Sequence, residues 1–258
     1  MSSEMDKYLA FAKELAYQAG KIIKDNFEKK HEAQMKADAT PVTKIDIQIN
    51  QLALDAIKAR FPGHGVLGEE GNLGDGTEKY QWVLDPIDAT KAFILGIPNS
   101  VFMLALTEDG QNQLAVVYDP FADKLYHAVK DGGAFCNDQP IHVNKQPLKG
   151  GIVMLGETSA AVFAKGVEAA GGQVEMVTGT GYKCMLLASG KGVGTYKDKS
   201  EGDFHDVGPA ALIIEEAGGR ATDLDGRPQR YDRQLNGAIL SNGTVHADLV
   251  KIAQETNQ

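Results

Sequence analysis

Two carboxylates, Asp85 and Asp88, close the apolar run Trp82-Val83-Leu84 with Pro86 between them, and Thr90 and Lys91 follow directly. Pro86 fixes one backbone angle and stiffens the turn. The pattern predicts a strand over 80–85 that ends at an acid, and a helix that begins near Thr90. Strand ends are where α/β proteins place ligands, and helix N-termini offer free amides to phosphate. One short stretch thus supplies carboxylates for a hard cation, amides for an anion and a hydroxyl beside both. Magnesium takes oxygen ligands in octahedral geometry and keeps waters and substrate phosphate among them. A lone DxxD pair is more often a solvated turn or an N-cap. Its meaning therefore depends on other acids in matching settings.

Two such settings occur. Gly68-Glu69-Glu70-Gly71 follows the apolar pair Val66-Leu67. His205-Asp206-Val207-Gly208-Pro209-Ala210-Ala211 opens an apolar segment that ends in Glu215-Glu216-Ala217-Gly218-Gly219. Taken alone, Asp206 reads as a helix cap, and Asp46, in Thr43-Lys44-Ile45-Asp46, as ordinary helix surface.

The elements that must position these acids follow from periodicity. Apolar residues three and four apart predict an amphipathic helix over 5–28 and another over 43–60, stopped by Phe61-Pro62-Gly63. Residues 30–43 read as a loop or edge hairpin, and 66–68 as a short strand. Strands are predicted over 100–108, 113–119 and 124–129, with turns at Asp109-Gly110 and at Phe121-Ala122-Asp123, and a further short strand near 134–143. Helices over 158–170, 182–189, 206–217 and 244–255 alternate with strands over 193–197 and 237–240. The change of character near 145–152 divides an N-terminal α+β subdomain, 1–150, from a C-terminal α/β subdomain, 151–258. Helices flanking mixed sheets predict a layered α/β or α+β architecture.

Bulk properties narrow the function. The chain has 258 residues, with 43% hydrophobic and 24% charged residues, so it can bury a sizeable core. A net charge of -9 argues against a nucleic-acid polymer or an anionic membrane as partner. Bound cations would still admit an anionic substrate. Cys136 and Cys184 belong to no metal-ligand spacing, and neither a signal peptide nor an apolar span is legible, so a cytoplasmic protein is expected. No nucleophile-elbow serine motif, Walker loop, dinucleotide fingerprint or zinc spacing is present.

Together the three acidic motifs, in this order, resemble the inositol monophosphatase family, whose pattern has GEE, WxxDPxDGT and WDxAA…EAGG elements. Val116-Val117-Tyr118-Asp119-Pro120 and Gly132-Gly133-Ala134-Phe135-Cys136-Asn137 extend the resemblance over nearly the whole chain. It implies a layered αβαβα sandwich with the site between its halves, and a metal-activated water that hydrolyses a small phosphate monoester. It implies two or three Mg2+ ions held by Glu69, Asp85, the Ile87 carbonyl, Asp88 and Asp206. Asp46 and Thr90 would orient and deprotonate the water, Glu70 would support the metal ligands, and Lys36 resembles a lysine near the metals. Asp88, Ala89, Thr90, Lys91, Gly179, Thr180, Lys183 and Asp206 would line the substrate. The family commonly forms homodimers and is often inhibited by lithium.

The chain departs from the pattern at two positions. Ala89 stands where glycine is usual, so its methyl group would crowd the phosphate or restrict the backbone. His205 stands where tryptophan is common, and reads as packing beside Asp206 or as a substrate contact. Lys91, in Lys91-Ala92-Phe93-Ile94-Leu95-Gly96-Ile97-Pro98, is similar to the bisphosphate nucleotidases and histidinol-phosphate phosphatases of the family. Lys183 reads either as a solvated helix lysine or as a contact for a second anionic group. Residues 197–203 are expected to carry substrate contacts. The substrate thus stays open among a polyol or sugar phosphate, histidinol phosphate and a 3′(2′),5′-bisphosphate nucleotide. Two other classes compete: a metal-free hydrolase with paired carboxylates, such as a glycosidase, and a non-catalytic phosphate-ligand binder disabled at Ala89.

Overall fold

The computed structural model describes residues 3–29, 33–36, 41–156, 161–199 and 204–256. Five layers alternate helix and sheet. The outermost helices are α1 (Ser3–Asn26) and α2 (Lys44–Arg60), with the small hairpin of β1 (Gln34–Met35) and β2 (Pro41–Val42) between them in sequence. They cover a sheet ordered β3 (Gly65–Gly68), β4 (Tyr80–Asp88), β5 (Val101–Glu108), β6 (Gln111–Asp119), β7 (Lys124–Val129), β8 (Ala134–Cys136) and β9 (Gln139–Pro140). The β3–β4 pair is parallel, and every later neighbour is antiparallel. The five-residue helix α3 (Thr90–Ile94) follows β4.

The second sheet runs in the order β11 (Gln173–Met176), β10 (Ile152–Leu155), β12 (Gly194–Lys197), β14 (Ala238–Ser241), β13 (Arg220–Thr222). Between the two sheets lie α5 (Thr180–Ala188) and α6 (Phe204–Glu216), whose apolar residues share one core with both. The last layer is α4 (Ala161–Ala169) with α7 (His246–Thr256), packed through Phe163, Val167, Leu249 and Ile252 on Val153, Leu155 and Ile239. This is the layered sandwich that the motifs imply.

Period-two alternation explains the first sheet. In β5, Phe102, Leu104 and Leu106 face α1 and α2, while Val101, Met103 and Ala105 face α5 and α6. Each is at most 1% exposed. Burying one such leucine or phenylalanine contributes about 1.5–3 kcal/mol. A strand buried on both faces reads as a continuous apolar run, which is why β5 and β6 are legible in the sequence.

Several expectations are corrected. β4 does not stop at Asp85 but continues to Asp88 through an irregularity in its pairing with β5. The expected strand over 134–143 is two short strands separated by a turn at Asn137 and Asp138, both at positive φ. The strands β10, β11 and β13 were not expected. β13 has three residues, and β11 is an edge strand with mostly exposed side chains, so neither carries a burial pattern that reads as a strand. Of the helix expected over 158–170, residues 158–160 lie outside the described residues.

Candidate active site

The acids converge because β4 carries one extra residue. Asp85 pairs with Met103 and Asp88 with Val101, so three steps on β4 match two on β5. In an unbroken strand, residues three apart point to opposite faces. The extra residue restores Asp88 to the face of Asp85 and Val83, which α5 and α6 cover, and turns Ile87 toward the α1–α2 core. Asp206 sits in the first turn of α6 on that same side. One carboxylate oxygen each from Asp85, Asp88 and Asp206 lies within 4.8 Å of the others.

Each acid is held by its neighbours. Asp85 is 1% exposed and accepts the Ile87 amide at 3.0 Å. Burial first, and then the charges of Glu69 and Asp88, push its carboxyl well above the usual range. Asp88 is 5% exposed and takes the two leading amides of α5, Thr180 at 3.0 Å and Gly181 at 2.8 Å. Burial raises its carboxyl, and Lys197, Lys183 and those amides oppose the rise. The approach of α5 needs Gly179 at φ 88°, where an added Cβ would stand 3.1 Å from the Asp88 carboxylate and 3.3 Å from the Ala89 methyl.

The β3 side brings Glu69 and Glu70. Gly68 makes room for that turn, since a Cβ there would lie 2.4 Å from the Gly71 carbonyl and 2.5 Å from Asn50 Oδ1. The Glu69 amide bonds the Leu84 carbonyl at 3.0 Å, which ties this turn to β4 one residue before Asp85. Lys36 bridges Glu69 at 2.5 Å and Glu70 at 2.6 Å. Burial opposes the charge of Lys36, but both glutamates outweigh it and push its pKa up. Burial raises Glu70, with Lys36 opposing.

Asp46 is not helix surface. It is 1% exposed and forms a capping box with Thr43, accepting the Thr43 amide at 2.9 Å and its hydroxyl at 2.5 Å. Its other oxygen receives the Thr90 hydroxyl at 3.0 Å, and that hydroxyl also lies 3.0 Å from the Ile87 carbonyl. Burial raises the Asp46 carboxyl against these hydrogen bonds. The Thr43-x-x-Asp46 spacing was the sequence signal for this capping box.

Most of the residues expected on the substrate side lie at α3 and α5. The α5 amides at Thr180 and Gly181 are taken by Asp88. Lys183 is not a solvated helix lysine; it is 4% exposed. Lys91 is exposed, at the start of α3. Ala89 caps α3 in the left-handed conformation, φ 69° and ψ 47°. His205 is buried with its ring centroid 4.0 Å from that of Phe204. Lys197 ends β12, pairs with Asp206 and donates to Thr180 Oγ1 at 3.2 Å; its buried place was not foreseen. Residues 200–203 lie outside the described residues.

An all-oxygen donor set of convergent, largely buried carboxylates fits a hard divalent cation. Like charges at this spacing are costly to bury without one.

Residues 4–258 match the family model described as the inositol monophosphatase family. A histidinol-phosphatase of Chlorobaculum parvum is 33% identical over 257 residues, covering 94% of this chain and 95% of that protein. A fructose-1,6-bisphosphatase/inositol-1-monophosphatase of Thermotoga maritima is 28% identical over 223 residues, covering 83% and 82%. The solved structure of a Thermotoga maritima IMPase superposes with a TM-score of 0.88 at 25% identity, covering 97% of this chain and 98% of that one.

Proposed function

The chain belongs to the inositol monophosphatase family of phosphoric monoester hydrolases, and from that premise we propose that it hydrolyses a small polyol or sugar phosphate with Mg2+. The observation that carries this reading is the convergence of Asp85, Asp88 and Asp206 beside the Thr90–Asp46 hydrogen bond. Glu69, Asp85, the Ile87 carbonyl, Asp88 and Asp206 would hold two or three ions. When bound, these would supply charge neutralisation for the phosphate and an acidified water, and would stabilise the leaving oxygen.

The chain's own residues do the orienting. Thr90 gives its proton to Asp46, which leaves its lone pairs to accept one from a water. That fixes the water's oxygen for in-line attack on phosphorus as the ester P–O bond breaks. The water's proton passes through Thr90 to the Asp46–Glu70 side, where burial keeps both carboxyls receptive. The leaving alkoxide takes a proton from solvent. Buried Lys183, whose charge acts on Asp88, would support binding of an anion there.

Histidinol phosphate is a second reading, favoured by the name of the 33% identical relative. Neither cysteine lies in a disulfide, which supports a reducing, cytoplasmic setting. Comparing kcat/KM for inositol 1-phosphate, fructose 1,6-bisphosphate, histidinol phosphate and 3′-phosphoadenosine 5′-phosphate tests the choice. A polyol or sugar phosphate should lead by about tenfold or more; a lead for either of the last two would replace the first reading.

A further inference from the structure

Lys197 is a buried lysine, 8% exposed, at the last position of β12. A buried ammonium must be paired. Its partner is Asp206, one of the three carboxylates whose oxygens converge, and its second contact is Thr180 Oγ1 at 3.2 Å. Lys183, 4% exposed, also acts on this side, and both lysines oppose the negative charge of Asp88. The set of three acids therefore meets two ammonium groups supplied by the chain itself. Thr180 is fixed by its amide on Asp88, so the hydroxyl that shares Lys197 does not drift.

We propose that Lys197 is a resident counter-cation that competes with a divalent ion for Asp206. The ion and the ammonium compete for one carboxylate charge, and an ion that takes Oδ2 of Asp206 displaces the ammonium toward Thr180 Oγ1. The lysine thereby weakens this position and keeps its ion exchangeable, while giving the half-buried Asp206 a partner when no ion is bound. The inference rests on the reading of Asp206 as a metal ligand.

Mn2+ is the probe, with the free aquo ion counted by electron paramagnetic resonance in titrations of the full chain. Asp206→Asn should remove one class of Mn2+ sites. Lys197→Met and Lys197→Gln, which both remove the charge, should tighten that same class by at least about tenfold. Lys197→Arg, which keeps the charge, should stay within about threefold of the wild type. Adding Lys197→Gln to Asp206→Asn should give no tightening. If Asp206→Asn removes the class while both neutral variants bind Mn2+ as the wild type does, Lys197 is no competitor. If Asp206→Asn leaves all Mn2+ sites intact, the ligand reading itself falls, and the inference with it.

Discussion

The hydroxyl of Thr90, at the start of α3, lies 3.0 Å from Oδ1 of Asp46, which stands 44 residues earlier in the first turn of α2. Two helices from different parts of the chain are thus joined at one hydrogen bond beside the acid cluster. Asp46 cannot swing away, because Thr43 holds its other oxygen through both amide and hydroxyl.

Thr90→Val keeps the side chain's shape and removes this hydroxyl. With it gone, kcat should fall by about a hundredfold or more while KM changes little, the pattern of a lost water-orienting group. Thr90→Ser should recover most of the rate. Steady-state kinetics on the best substrate of the panel checks both.

Asp85→Asn should lose turnover by about a thousandfold or more, because the Asp85 carboxylate interacts with both Glu69 and Asp88. Its fold should persist, and metal-free protein should melt no lower than the wild type, since a buried charge that is repelled by Glu69 and Asp88 is gone. Circular dichroism and thermal melts in chelator read this out. Wild-type turnover would remove Asp85 from the metal set.

Ala89 holds a left-handed backbone at φ 69°, a conformation that costs a residue with a Cβ about 1 kcal/mol relative to glycine. Ala89→Gly should stabilise the protein by about that amount, or roughly 2–4 °C in Tm for a chain of this size. Turnover should hold or rise. Turnover that appears only in Ala89→Gly would instead mark the wild type as a disabled binder.

His246 bridges the second sheet and α7. Its ring lies 2.8 Å from Ser241 Oγ and 2.9 Å from Thr222 Oγ1, with 2% exposure. Burial, and then the charge of Arg220, push the imidazole from its ordinary 6.5 down to about 4. Between those values the unfolded chain binds more protons than the folded one, so stability falls as pH drops through that window. The loss amounts to about 3 kcal/mol at its full extent. Denaturant melts at pH 7 and pH 4.5 should show it, and His246→Gln should flatten it.

Much of the site was legible because its acids sit in short contiguous motifs at the ends of apolar runs. Glu69, Asp85, Asp88 and Asp206 each follow or open such a run. The extra residue in β4 was not legible: nothing in Asp85-Pro86-Ile87-Asp88 says which side each acid faces until pairing with β5 sets the register. Taken alone Asp46 reads as helix surface, because exposed and buried helix starts share the capping spacing; the family resemblance pairs it with Thr90, and the hydrogen bond from distant Thr90 joins the two. Lys183 and Lys197 look like solvent-facing lysines in sequence. Their burial comes from the packing of α5 against α6 and β12, a tertiary fact with no local signature. In the second sheet β12 and β14 were legible, whereas three-residue β13 and the mostly exposed edge strand β11 carry too little pattern to read.

Metal dependence is read from phosphate release from inositol 1-phosphate and the other monoesters of the panel, measured with Mg2+, with excess chelator, and with Mg2+ restored. Release should occur with Mg2+, fall to background with chelator, and recover on restoration. Undiminished release in chelator would contradict a metal-dependent phosphatase and return the paired carboxylates to a metal-free role.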